Sequence, residues 1–325
     1  MKKFEDILGY NQSQLKNYLC NYLCGTGYKI FTDSGYIFAK GNIPVLLVAH
    51  MDTFGGQIPR TIIKEPTLDG IRIIAENSIV GGDDRCGVWM IMNIIKKVKC
   101  HVLFLEDEEM GCIGANKFAL TEHIDYVKDN ISFMIELDRR GKNDCVFYSN
   151  DNKEFVTYIE EKTGTKKAYG SMSDISKLMP KSCVAGVNLS CGYYKEHTKD
   201  EYIMVDEMND MMNRLIEYLS KETEFPKFKY VEKKYPLYSY GSYYGSNYYG
   251  NNYYGKTGKI SNFSERALRS IKKLCLTVVL DDEFCEEGED NRIDAIGANQ
   301  AECWATLFLE NEDLCASMIT RFYFT

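Results

Sequence analysis

The sequence predicts an α/β protein: a three-layer α/β/α domain around a mixed, mainly parallel central sheet, followed by a small C-terminal module. Three observations predict it. Apolar runs such as "IPVLLVAH" (43–50) are continuous rather than alternating, the pattern of strands buried on both faces. Such runs alternate with helix-like stretches, as βαβ units do. The alternation stops near residue 225, where aliphatic residues give way to tyrosine and glycine.

The elements follow in order. Residues 5–24 are helical in pattern, and "CGTG" stops them with glycine. "YKIFTDSGYIFAKG" (28–41) is a hairpin turning at "DSG". "IPVLLVAHMDT" (43–53) is a buried strand, and "TIIKEPTLDGIRII" (61–74) gives two short strands around a turn. "RCGVWMIMNIIKKV" (85–98) is a helix apolar almost all round, hence buried. "HVLFLEDEE" (101–109) is a strand, "GANKFALTEH" (114–123) a helix, and "ISFMIELD" (131–138) and "DCVFYSN" (144–150) are strands. The helix "KEFVTYIEEK" (153–162), the strand "CVAGVNLSCG" (183–192) and the helix "VDEMNDMMNRLIEYLSKE" (205–222) complete a domain over residues 1–225.

Residues 226–258 read as a linker. From 235 to 258 Tyr-Tyr-Gly recurs every five residues and aliphatic side chains are nearly absent, so no core can form there. A flexible spacer is the plain reading, and self-association through stacked tyrosines is the sharper one. Residues 259–325 form a small, acidic, mainly helical module whose 13 acidic and 7 basic side chains give it −6 of the chain's net −8. Its "DDEFCEEGEDNRID" misses calcium-loop spacing and reads as a solvated loop.

Composition narrows the function. A net charge of −8 disfavours nucleic acid and anionic membranes as partners. The N-terminal stretch lacks the apolar run of a signal peptide, and no run is long enough for a transmembrane helix. With no export signal in view, the twelve scattered cysteines read as reduced thiols of a cytoplasmic protein, and the lack of a C-x-x-C pair argues against a thiolate zinc site.

The chemistry is announced in "VLLVAHMDT" (45–53), where a buried strand ends in His50 with Asp52 two positions on. On a strand these share a face, so Asp52 can fix the imidazole tautomer, as carboxylates do behind metal-bound histidines. Alone, a strand-end histidine is an ordinary structural residue. Four further clusters change that: Asp83 and Asp84 in "VGGDDRCG"; Glu106, Asp107, Glu108 and Glu109 in "FLEDEEMGCIGA"; Glu136 and Asp138 in "FMIELDRRG"; and His197 in "CGYYKEHTKDEY". Each alone is a solvated turn or loop. Together they fall at the carboxyl edge of the sheet, where open α/β sheets bind ligands. Anions gathered there repel strongly unless divalent cations sit among them.

In that order, "AHMDT", "GGDDRCG", "DEEMGCIGA", "ELD" and "HTKDEY" resemble the co-catalytic zinc peptidases, the aminopeptidases and dipeptidases related to peptidase T and to glutamyl and bacterial leucyl aminopeptidases. The resemblance spans roughly residues 40–220. It implies that His50 binds one metal and His197 the other, that Asp83 bridges both, and that Glu109 and Asp138 complete the two sites. It makes Glu108 the general base and Asp52 the residue that orients His50, and it implies a cis Asp83–Asp84 peptide. The implied cofactor is two Zn2+, with Co2+ or Mn2+ as substitutes. The implied partner is a short peptide. Many such enzymes insert a lid between the fourth and fifth metal-binding residues, but Asp138 to His197 is only 59 positions, which implies a core without a lid.

Two alternatives stay open. The same water attack serves an N-acyl amino acid or another small amide. The core can also serve as a scaffold, with the tyrosine-rich segment and tail governing assembly. Tyr193 or Tyr194 is a candidate oxyanion donor, with packing the plainer role for each. Ser173 or Asp174 in "YGSMSD" is a candidate substrate contact. His101, opening a strand, and His123, ending a helix, read as structural or solvated.

Overall fold

The computed structural model describes residues 3–233. The tyrosine-rich repeat, its expected self-association and the acidic module lie outside the described residues. In chain order the elements are α1 (Phe4–Leu8), α2 (Gln12–Gly25), β1 (Lys29–Asp33), β2 (Tyr36–Lys40), β3 (Ile43–His50), β4 (Ile62–Thr67), β5 (Gly70–Ala75), α3 (Gly82–Ile94), β6 (Cys100–Leu105), α4 (Ile113–Phe118), α5 (His123–Asn130), β7 (Phe133–Arg139), β8 (Asp144–Val146), α6 (Lys153–Thr163), β9 (Lys166–Ala168), α7 (Asp174–Ser182), β10 (Gly186–Ser190), β11 (Tyr193–Tyr194), β12 (Tyr202–Met204) and α8 (Val205–Lys221).

Eight strands form one mixed sheet in the order β1-β2-β6-β3-β7-β10-β8-β9. Its four central strands, β6, β3, β7 and β10, run parallel, so their carboxyl ends share one edge. The fold is the α/β architecture the sequence predicts. β3 shows why its apolar run is unbroken. Val45, Leu47 and Ala49 enter the core that includes residues of α1, α2, α3, α6 and α8, while Leu46 and Val48 enter the core on the other face with α4, α5 and α7. Each alternate residue therefore meets a helix layer, and all five are fully buried. At Gly87 a Cβ would lie 1.8 Å from the Leu137 carbonyl oxygen, so only glycine lets α3 approach β7 this closely.

The structure differs from expectation in several places. The first helix breaks at Gly9–Asn11, where Asn11 and Gln14 form a capping box for α2. The helix expected over 114–123 is two, and His123 begins α5 rather than ending a helix. Its ring lies among Phe31, Tyr36, Phe38 and Phe118. The two short strands expected over 61–74 are β4 and β5, paired antiparallel, whereas α7, β9, and the strands β11 and β12 that extend this hairpin into a four-stranded sheet were not expected. Residues beyond 225 stay with the domain: the Phe228 carbonyl accepts from Ala185 N, and Lys229 and Glu232 bridge to Val184 and Asn150. The interval from Asp138 to His197 is filled by β8, α6, β9, α7, β10 and β11. No helix among the described residues is long and apolar enough to cross a membrane.

Candidate active site

His50 ends β3, and Asp138 lies near the end of the neighbouring parallel strand β7. Asp83 and Asp84 sit where α3 begins, joined by a cis peptide. Glu108 and Glu109 follow β6, and His197 lies between β11 and β12. These seven residues gather at the carboxyl edge of the sheet. Asp83 touches both histidines: its Oδ1 is 2.9 Å from His50 Nε2 and its Oδ2 is 3.2 Å from His197 Nε2. Asp138 Oδ1 is 3.4 Å from the same His50 nitrogen, and Glu109 Oε1 is 2.8 Å from the same His197 nitrogen. The result is two triads that share one carboxylate. Each aims an imidazole nitrogen between carboxylate oxygens. Asp83, Glu109 and His197 are close enough together to hold a divalent cation, as is His50 with Asp84 and Asp138 or with Glu108 and Glu109.

The electrostatics say the same. His50 is fully buried. Desolvation disfavours its charged form, yet Asp138 and Asp52 outweigh that and push its pKa up. Hydrogen bonds accepted by Asp83 and Glu109 raise His197 to about 10 against its partial desolvation. The site draws positive charge into its centre even at the cost of burying it, and that field would also hold metal ions.

Asp52 organises three groups at once. Its Oδ1 lies 3.1 Å from His50 Nδ1 and accepts from Glu108 N at 3.0 Å, while Oδ2 accepts from Glu109 N at 3.1 Å. Burial would raise its pKa, but His50 and these amides hold it at about 2. One carboxylate therefore ties the end of β3 to the turn after β6. Arg85, itself fully buried, clasps the Met51 carbonyl through Nη1 and the Tyr10 carbonyl through Nη2. Glu108 carries a pKa raised to about 7, chiefly by burial, with His50 opposing and Asp138, Asp83 and Glu109 reinforcing. That suits a group that must take and return a proton near neutrality.

Other acids of the five clusters do different work. Glu106 pairs with Lys16 at 2.7 Å and accepts from Gly35 N. Asp107 binds Gln12. Asp84 accepts from His50 N and Gly87 N, fixing the strand end and the start of α3. Glu136 accepts from Ile175 N at the start of α7. Asp174 is fully buried at the start of α7. Ser173, 2% exposed, donates to Asp138 Oδ2 at 3.0 Å instead of facing substrate. Tyr193 Oη also donates to Asp138, whereas Tyr194 Oη donates to Glu207. His101 is buried and accepts from Gly41 N, a structural role.

Two residues escaped sequence reasoning. Glu201, 1% exposed, accepts from Gly81 N at 2.8 Å and Asp83 N at 3.1 Å, and so fixes the shared carboxylate from below. Its only signal was an acid four positions after His197. Phe54 stacks on the His197 ring, with centroids 4.5 Å apart and planes 12° apart. No pattern in the sequence links those two.

The fold has counterparts among known proteins. Residues 39–279 match the model of peptidase family M28. The structure resembles that of a tripeptidase from Staphylococcus aureus, with TM-score 0.55 and 14% identity over 67% of this chain and 96% of that one. It also resembles aminopeptidase PepT from Bacillus cereus, with TM-score 0.53 and 14% identity over 67% and 97%. An aminopeptidase from the archaeon Desulfurococcus kamchatkensis gives TM-score 0.50 and 14% identity over 68% and 94%. No curated protein matches the chain in sequence. The matched span holds the whole site and most of the chain: the protein belongs to peptidase family M28 and is a metal-dependent peptide hydrolase.

Proposed function

We propose that the chain is a dinuclear zinc exopeptidase that trims short peptides, as an aminopeptidase or dipeptidase. The observation that supports this best is the pair of triads sharing Asp83, with Glu108 beside them at a pKa of about 7. His50, Asp83 and Asp138 would hold one ion, and His197, Asp83 and Glu109 the other. Imidazole and carboxylate donors suit zinc, with cobalt or manganese as substitutes. Bound, the ions supply Lewis acidity toward the scissile carbonyl and lower the pKa of a water.

The chain's own groups do the rest. Glu108 takes a proton from the attacking water and returns it to the leaving amine. Asp52 accepts from His50 Nδ1–H, which leaves Nε2, the nitrogen that faces Asp83 and Asp138, to hold an ion. Tyr193 and Ser173 fix the Asp138 carboxylate from two directions. A cavity of about 210 Å³ bordered by Asp83, Glu108, Asp138 and His197 gives the substrate its place. The cytosol is the proposed setting, on the sequence grounds above.

The test uses the zinc-loaded full chain and a panel of short peptides and N-acyl amino acids. Release of amino acids, loss with chelator and recovery with zinc are expected. Glu108→Gln should keep both ions by elemental analysis and lose at least ~100-fold in kcat. A zinc-replete protein that cleaves N-acyl amino acids and leaves peptides intact would replace this reading with the deacylase.

A further inference from the structure

The cavity beside the site has a second charged wall. Besides Asp83, Glu108, Asp138 and His197, its charged lining is Arg139, Arg140 and Glu196. Two guanidiniums therefore stand against one carboxylate. Arg140 Nη1 donates to Glu196 Oε1 at 2.7 Å, and that pair is complete in charge. Arg139 is not so matched. Its nearest carboxylate, Asp144 Oδ2, lies 3.5 Å from one Nη, the outer limit of a hydrogen bond, on a side chain that is itself 44% exposed. The Arg139 side chain is only 20% exposed, and its Nε is buried with no hydrogen-bond partner.

A buried donor without an acceptor is costly to leave unmade. A guanidinium with open donors is the side chain best shaped to take a carboxylate through two parallel bonds. The neighbouring lining is polar as well. Tyr148, Ser171 and Asn188 border the cavity, and Met172 is its one aliphatic side chain among the described residues. A leucine or phenylalanine side chain placed here would desolvate these groups and return nothing to them.

We propose that Arg139 receives a carboxylate of the substrate, which makes acidic short peptides the preferred class. The carboxylate is an Asp or Glu side chain next to the scissile bond; the free α-carboxylate that every dipeptide carries is the rival source the test separates. The proposal rests on the peptidase reading for where the substrate lies. Arg140, held by Glu196, walls the same side and is not the receptor.

Binding tests it apart from turnover. The zinc-loaded Glu108→Gln full chain is titrated calorimetrically with Glu-Ala, Gln-Ala, Glu-Ala-amide and Leu-Ala. Glu-Ala is expected to bind at least tenfold tighter than Leu-Ala. A loss with Gln-Ala and none with Glu-Ala-amide supports the side chain, whereas a loss confined to Glu-Ala-amide overturns the acidic preference in favour of the α-carboxylate. Adding Arg139→Met should shrink the Glu-Ala preference below threefold, and Arg139→Lys should restore part of it, with zinc content and melting temperature checked for each. Leu-Ala binding as tightly as Glu-Ala in the Glu108→Gln protein overturns the assignment with no need of an Arg139 variant. A preference that survives Arg139→Met in a folded, zinc-loaded protein overturns it too. Acidic preference in binding with no peptide hydrolysed by the wild type would sink the peptidase reading and leave the carboxylate receptor standing.

Discussion

Replacing Glu201 by alanine tests how the shared carboxylate is held. Glu201 is 1% exposed, and its two oxygens accept from Gly81 N at 2.8 Å and Asp83 N at 3.1 Å. Truncation leaves both buried amides without an acceptor. Each such orphan costs about 1–3 kcal/mol, so the pair costs about 2–6 kcal/mol. Part of this is returned, because burying the carboxyl is itself unfavourable: desolvation pushes its pKa up to about 7, against the pull of the same amides. A net loss of about 3 kcal/mol is expected, which lowers Tm by roughly 6–12 °C for a domain of this size. Glu201→Gln keeps one acceptor and turns an N–H toward the other amide, so it should lose about half as much. Zinc titration should show both ions weakened together, since Asp83 belongs to both triads. Thermal melts with and without zinc, paired with that titration, provide the assay. A Glu201→Ala protein that melts within 1 °C of wild type and binds both ions as tightly would refute the reasoning.

Phe54→Ala should act on one ion only. The ring stacks on His197, whose side chain is 40% exposed, while His50 on the other triad is buried. About tenfold weaker binding of one zinc, restored by Phe54→Trp, is the expected titration result, and equal weakening of both would contradict it. Acid should weaken the fold through His101. Burial, with Lys40 adding, pushes its pKa down to about 4, against about 6.5 unfolded. The unfolded chain therefore binds the extra proton between those values. Stability is complete above about pH 6.5 and falls as the pH drops toward 4, by up to about 3 kcal/mol. His101→Gln should flatten that part of the pH profile in urea unfolding at pH 7 and 4.5. An unchanged slope would show that other groups carry it.

How much of this was written in the sequence depends on how far apart the partners lie. β3 was legible because every one of its apolar residues meets a helix layer, so its pattern needs no partner to interpret it. The same period of two put Asp52 beside His50, and the structure finds them 3.1 Å apart. The acidic run 106–109 was less legible. Asp107 has φ +59°, and that turn sends Glu106 and Asp107 to Lys16 and Gln12 while Glu108 and Glu109 enter the site. Composition cannot show a change of direction within four like charges. α7 was hidden by Pro180, which lies inside it and reads as a breaker. The break between α1 and α2 was written in "NQSQ", a capping box weaker to the eye than the apolar periodicity around it.

The residues that escaped share a physical trait: they act on a neighbour's backbone or ring rather than as donors of their own. Glu201 reaches Asp83 across 118 positions, and Phe54 reaches His197 from another loop. Residues that would hold ions must carry nitrogen or oxygen donors at strand ends, a requirement strong enough to show in a single sequence. Supporting residues need only complement whatever the fold places next to them, so topology decides their identity. This also explains why Arg139 looked ordinary as sequence. Beside the acids of "FMIELDRRG" it reads as a charge pair on a surface turn. Only the folded chain shows its Nε buried without a partner, on the wall of the cavity that borders the candidate ligands. The reaction was therefore legible from the donor set, whereas the choice of substrate depends on side chains whose meaning arises after folding.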